Sequence, residues 1–124
     1  MEALIIEPTL NTPKVILDQE KNIFEFSGKS FPQNVQKFYH PILEWFEEYS
    51  KNPNSKTDFV IKFDFHSSAT CKAIFQVLKI LSKVIQNGNE LTVYWHYEKM
   101  DEDSKTEAEY FAKKLNIPFK FISY

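Results

Sequence analysis

The stretch DFVIKFDFHSSATCKAIFQVLKILSKVIQN, residues 58–87, decides the fold. Its first eight residues, Asp58 to Phe65, crowd Phe59, Val60, Ile61, Phe63 and Phe65 into a short apolar run. The β-branched and aromatic side chains make this a largely buried strand. From about Ala69 to Asn87 the period changes. Cys71, Ile74, Phe75, Leu78, Leu81 and Ile85 recur at three- and four-residue steps, widened by Ala73, Val77, Ile80 and Val84. Lys72, Gln76, Lys79 and Lys83 take the other face, so this is an amphipathic helix. Gly88 follows it where a helix commonly ends on glycine. A buried strand running straight into a buried helix is the repeating unit of an α/β domain.

The alternation continues on both sides. Downstream, Glu90 to Tyr97 reads as a strand. An acidic segment, Glu98 to Lys105, leads into a third helix with Ala108, Phe111, Ala112 and Leu115 inward. Ile117 to Ile122 is a last strand. Upstream, Pro32 suits the first position of a helix. Val35, Phe38, Tyr39, Ile42, Trp45, Phe46 and Tyr49 then follow the helical period, and Pro53 ends it. Before that lie three short strands, Ala3–Ile6, Lys14–Asp18 and Asn22–Ser27, the last two joined as a hairpin and closed by Gly28. The sequence predicts one domain over residues 1–124, an α/β fold. Its mixed β-sheet starts with an N-terminal hairpin region and continues α-β-α-β-α-β through right-handed crossovers. The general build is STAS-like, as in anti-sigma-factor antagonists, at the level of fold analogy.

Composition excludes several classes of function. A chain of 124 residues with 43% hydrophobic and 16% aromatic residues buries a core of its own. The net charge is −2 and every basic residue is Lys. Without Arg, bidentate recognition of phosphate or guanine loses its usual residue, so nucleic acid is not an expected partner. An acidic balance also disfavours an anionic membrane surface. The single Cys71 has no internal partner, the start lacks the pattern of a signal peptide, and no apolar run approaches a membrane span. A cytoplasmic location is expected.

The segment Phe65-His66-Ser67-Ser68-Ala69-Thr70-Cys71-Lys72 is the most informative for chemistry. It joins the carboxyl end of a strand to the amino end of a helix and places three hydroxyls within four positions. Unpaired amides and the positive end of the helix dipole favour a phosphate there. Ser67 or Ser68 is equally readable as a plain N-cap, and spacing does not separate the two readings. His66, Cys71 and His96 open an alternative, a small enzyme or metal-binding protein, with His66 and His96 at the ends of neighbouring strands. Against it, Cys71 lies on the apolar stripe and no third ligand is evident. The acidic loop 98–103, with Glu98, Asp101, Glu102 and Asp103, has Mg²⁺-compatible chemistry but no ligand spacing, and reads first as a solvated helix start. No glycine-rich phosphate loop, nucleophile elbow or zinc-protease pair occurs. No cofactor or metal is expected. Phe31, Tyr94 and Tyr97 are candidates for a contact patch.

Several segments together resemble the SiaC family of regulatory phosphoproteins. Asn11-Thr12-Pro13 is similar to its Ser/Asn-Thr-Pro element. Gly28-Lys29-Ser30-Phe31-Pro32-Gln33-Asn34 is similar to its Gly-x-Ser-Tyr-Pro-Glu-Asn element. Phe38-Tyr39-x-Pro41 and Trp45 match the helix that follows. Phe65 to Ala73 resembles its aromatic-x-Asn-Thr-Ser-Ser-x-Lys-Ala element, and Trp95-His96-Tyr97 before acidic residues completes the set. The resemblance covers nearly the whole chain. It implies a non-catalytic bacterial switch protein in signal transduction by partner switching. The implied partners are a protein kinase, a PP2C-type phosphatase and a diguanylate cyclase that the unphosphorylated form binds and activates, with consequences for biofilm. Anchored on Lys72 and Ala73, the resemblance places the phosphorylated residue at Ser68, with Ser67 and Thr70 as rivals. Ser67, Ser68, Lys72, Phe31 and Tyr97 are the implied partner-binding residues. The chain departs from the pattern at His66, which replaces an apolar residue, and at Ser67, Ser68 and Ala69, which replace Asn, Thr and Ser.

Overall fold

The structure, a computed structural model, describes residues 1–124. Nine elements follow in the order β1 (Leu4–Ile6), β2 (Lys14–Asp18), β3 (Ile23–Ser30), α1 (Val35–Lys51), β4 (Lys56–His66), α2 (Ser68–Gln86), β5 (Glu90–Tyr97), α3 (Glu102–Leu115) and β6 (Phe119–Ser123). The six strands form one sheet in sequence order. β1–β2 and β2–β3 pair antiparallel, while β3–β4, β4–β5 and β5–β6 pair parallel. This is the expected mixed sheet with an N-terminal hairpin.

Because each helix links two adjacent parallel strands, right-handed crossovers place all three on one face. There α2 packs between α1 and α3. The strands' inward residues form register rows, Leu17–Phe24–Phe59–Val93–Phe119 and Val15–Phe26–Ile61–Trp95–Phe121. The first four members of each row are buried. Interlocked aromatics fill the space beneath α1. Phe26 meets Phe59 edge-on at 5.0 Å, and Trp45 stacks on Tyr49 at 5.3 Å. Such pairs add about 0.5–1.5 kcal/mol each beyond the area they bury. The opposite face of the sheet carries no helix and is half-polar, with Ile16, Glu25, Val60, Tyr94 and Lys120 in one row. An antiparallel hairpin edge tolerates such a wet face. No helix is long and apolar enough to cross a membrane.

Three local readings change. Pro32 does not open α1. Asn34 is its N-cap, with Oδ1 accepting the Lys37 amide, and Pro41 sits inside the helix. The helix therefore starts three residues later than the proline suggested, at Val35. Gly28 does not close β3 but lies within it at φ +96°, a backbone conformation that glycine adopts without strain. There the pairing with β4 slips by one residue, Gly28 facing Phe63 and Lys29 facing Phe65. Such a slip reverses which face the following side chains take. It turns His66 toward the helices. Finally, α2 starts at Ser68, which makes Ser67 the N-cap.

Candidate functional site

The carboxyl end of β4 meets the amino end of α2 at residues 66–70. Ser67 Oγ accepts the Thr70 amide at 3.2 Å, and the Ser67 amide donates to the Ser30 carbonyl at 3.0 Å. Cys71 N–H closes the first helical bond on the Ser67 carbonyl at 3.0 Å. The amides of Ser68 and Ala69, in the first turn, have no partner within the helix.

The three candidate hydroxyls differ sharply. Thr70 is fully buried, and Thr70 Oγ1 donates to the Ser30 carbonyl at 2.9 Å. Thr70 Oγ1 also lies 2.9 Å from Ser30 Oγ and 3.1 Å from Ser67 Oγ. Ser67 is half-buried and its oxygen serves as the cap. Ser68, the first helical residue, is exposed. Of the two adjacent serines, Ser67 is the cap and Ser68 is an exposed hydroxyl outside the capping bond.

Around Ser68 the surface is apolar and basic. Phe31 and Phe65 pack edge to face, 5.6 Å between centroids, and remain 39% and 54% exposed. The Phe31 amide is anchored to the Asn11 carbonyl at 2.9 Å, which ties the β1–β2 loop to this end of the sheet. Lys72, one turn after Ser68, is exposed on the same helix face and borders a groove with Val35, Tyr39 and Leu43 of α1. Tyr97 is not part of this surface. It lines a separate depression with Lys99, Glu102, Lys105 and Glu109, on the opposite flank of α3 from His66.

The residues of the enzyme alternative do not converge. His66 Nε2 donates to Glu107 Oε1 at 2.7 Å beneath α3, with the imidazole only 11% exposed. His96 lies on the open face, near Lys62 and Glu25. Burial and then Lys62 lower its pKa, and Glu25 opposes them. The two histidines therefore end neighbouring strands on opposite faces. Burial, and then Glu107, push the Cys71 thiol up to about 12, so it stays protonated and non-nucleophilic at neutral pH. Burial alone would raise the Glu107 carboxyl. Hydrogen bonds from His66 and Cys71 and attraction to the His66 ring outweigh it and hold Glu107 below the ordinary range. In the acidic loop, Asp101 Oδ1 caps α3 through the Ser104 amide at 3.1 Å, and Glu102 and Asp103 occupy the first turn. That is the solvated helix start. No three His, Cys, Asp or Glu side chains gather as a metal site.

Sequence reasoning did not single out Phe65, Glu107 or Ser30. Ser30 had a signal: it continues the inward positions Phe24, Phe26 and Gly28, so a hydroxyl there must find a partner inside the fold.

A family model described as SiaC family regulatory phosphoprotein matches residues 6–124. An uncharacterized protein of Pseudomonas aeruginosa (strain UCBPP-PA14) is 24% identical over 119 residues, 96% of this chain and 94% of that protein. The solved structure of SiaC of Pseudomonas aeruginosa superposes with a TM-score of 0.88 at 22% identity, covering 100% of both chains. A second, of diguanylate cyclase SiaD in complex with its activator SiaC from the same organism, matches with a TM-score of 0.88 at 22% identity, covering 98% of this chain and 99% of that one.

Proposed function

The chain belongs to the SiaC family of regulatory phosphoproteins, and from that premise we propose that it is a non-catalytic cytoplasmic switch that binds and activates a diguanylate cyclase until Ser68 is phosphorylated. A protein kinase adds the phosphate and a PP2C-type phosphatase removes it. The cyclase as partner rests on the related SiaC, which is described as the activator of the cyclase SiaD.

The observation that carries the choice of acceptor is the division of labour at the turn. Ser68 is exposed, while Ser67 is committed as the cap and Thr70 is buried. A phosphate on the first helical residue gains the free amides of Ser68 and Ala69 and the nearby Lys72, so modification leaves the helix intact. It also sets roughly two negative charges beside the exposed Phe31–Phe65 pair. Burying that charge against a partner is unfavourable, and this is how the switch releases the cyclase.

The test pairs phosphopeptide mapping with partner titration of Ser68→Ala and Ser68→Asp proteins. Ser68→Ala stays bound and resists the kinase. Ser68→Asp releases only in part, since one carboxylate carries less charge than a phosphate. Modification confined to Ser67 or Thr70 would move the acceptor and refute this assignment.

A further inference from the structure

The four hydroxyls of Tyr39, Ser30, Thr70 and Ser67 form a continuous chain from α1 to the phosphorylation turn. Tyr39 Oη lies 2.8 Å from Ser30 Oγ, Ser30 Oγ lies 2.9 Å from Thr70 Oγ1, and Ser67 Oγ lies 3.1 Å from Thr70 Oγ1. Tyr39, Ser30 and Thr70 are fully buried. Counting protons fixes the direction of every bond. The Thr70 hydroxyl proton goes to the Ser30 carbonyl, whose oxygen can only accept. Ser30 and Ser67 must then both donate to Thr70 Oγ1, which fills its two acceptor sites. With its proton so used, Ser30 Oγ can only accept from Tyr39. Ser67 is held twice over by Thr70, accepting from its amide and donating to its hydroxyl.

We infer that Tyr39, Ser30 and Thr70 are positioning residues for phosphoryl transfer at this turn: by occupying Ser67 they leave Ser68 as the only hydroxyl free to react, and they tie that choice to helix α1. The inference rests on the switch reading above and adds to it what selects the acceptor. In the transfer itself, Ser68 Oγ attacks the γ-phosphorus of a nucleoside triphosphate held by the kinase. The bond from that phosphorus to the β–γ bridging oxygen breaks, the nucleoside diphosphate leaves, and the hydroxyl proton passes to a base on the kinase. Ser67 would undergo the same reaction if it were released, since it neighbours Ser68 and is only half-buried. Tyr39 touches neither serine, so any effect of its hydroxyl must travel through Ser30 and Thr70.

The experiment compares wild type, Thr70→Val, Tyr39→Phe and the conservative Thr70→Ser. Each is expressed in the native cells for phosphopeptide mapping and purified for amide hydrogen exchange. Tyr39→Phe removes only the terminal donor and is the milder probe should Thr70→Val fold poorly. Wild type is expected to carry phosphate on Ser68 alone. In Thr70→Val, exchange at residues 70 and 71 rises about tenfold or more, the range in which a lost buried hydrogen bond falls, and phosphate divides between Ser67 and Ser68; Tyr39→Phe shifts both in the same direction by less. Thr70→Ser restores the wild-type pattern. Phosphate remaining on Ser68 alone in both hydroxyl-deletion variants, or exchange unchanged in both, overturns the inference while leaving the switch standing. A wild-type chain without phosphate at this turn refutes the switch and the inference together.

Discussion

Thr70 Oγ1 stands 2.9 Å from both oxygens of Ser30, donating to the carbonyl and accepting from the hydroxyl. This double contact joins the end of β3 to the first turn of α2 at a fully buried point. Removing it in Thr70→Val leaves the buried Ser30 hydroxyl without its acceptor, and the Ser30 carbonyl with only the Ser67 amide. A destabilisation of about 1–3 kcal/mol is expected. Equilibrium denaturation with an unchanged m-value checks it, and no measurable loss would show that the contact is dispensable.

The two neighbouring serines should differ in stability as they do in role. Ser67→Ala removes the cap of α2 and is expected to cost about 1 kcal/mol. Ser68→Ala removes an exposed hydroxyl and should stay within about 0.5 kcal/mol of wild type. Urea titrations of the two proteins side by side decide it, and the reverse order would place the cap at Ser68.

Glu107 should confer an acid-sensitive part of the stability. Its folded pKa is held below the ordinary Glu value of 4.5. A depressed carboxyl stabilises the fold fully above its unfolded pKa and loses that contribution as the pH falls through the folded value. Glu107→Gln should therefore lower stability near neutral pH and flatten its decline in acid. Melting temperatures of wild type and variant across that range should converge at the acid end. Curves that stay parallel would remove Glu107 from this role.

Much of this was legible in the sequence because the fold is built from local periods. The strand at Glu90–Tyr97 and the helix ending before Gly88 stand where the residue pattern puts them, since each depends on near neighbours. The slip at Gly28 was not legible. A glycine after an alternating run looks like an ending, and only the partner strand shows that the ladder continues past it. The pairing of His66 with Glu107 spans 41 positions and exists because the slip turns His66 toward α3. Tyr97 was grouped with Ser68 among the expected partner-binding residues, but it lines a depression on the other flank of α3 from His66. Thr70 carried an overlooked signal, for it keeps step with the inward Ile74, Val77 and Leu81 and so belongs to the core.

Cys71 offers a check on the non-catalytic reading. With its thiol pushed up to about 12, the reactive thiolate is scarce at neutral pH. A thiol reagent at pH 7 should label the folded protein at least tenfold more slowly than the same protein in denaturant, a ratio well within what such a shift allows. Equal rates would show that burial does not suppress the thiol, and faster labelling of the folded protein would reveal an activated cysteine and reopen the enzyme alternative.

The most direct test of the proposed switch is the affinity of the proposed partner cyclase for the unmodified chain against the chain phosphorylated stoichiometrically at Ser68, measured by titration calorimetry. Charge brought into a packed interface costs on the order of 2–5 kcal/mol, so binding should weaken by about 30-fold or more. Equal affinities for the two forms would contradict the account, because the phosphate would then sit beside the interface without controlling it.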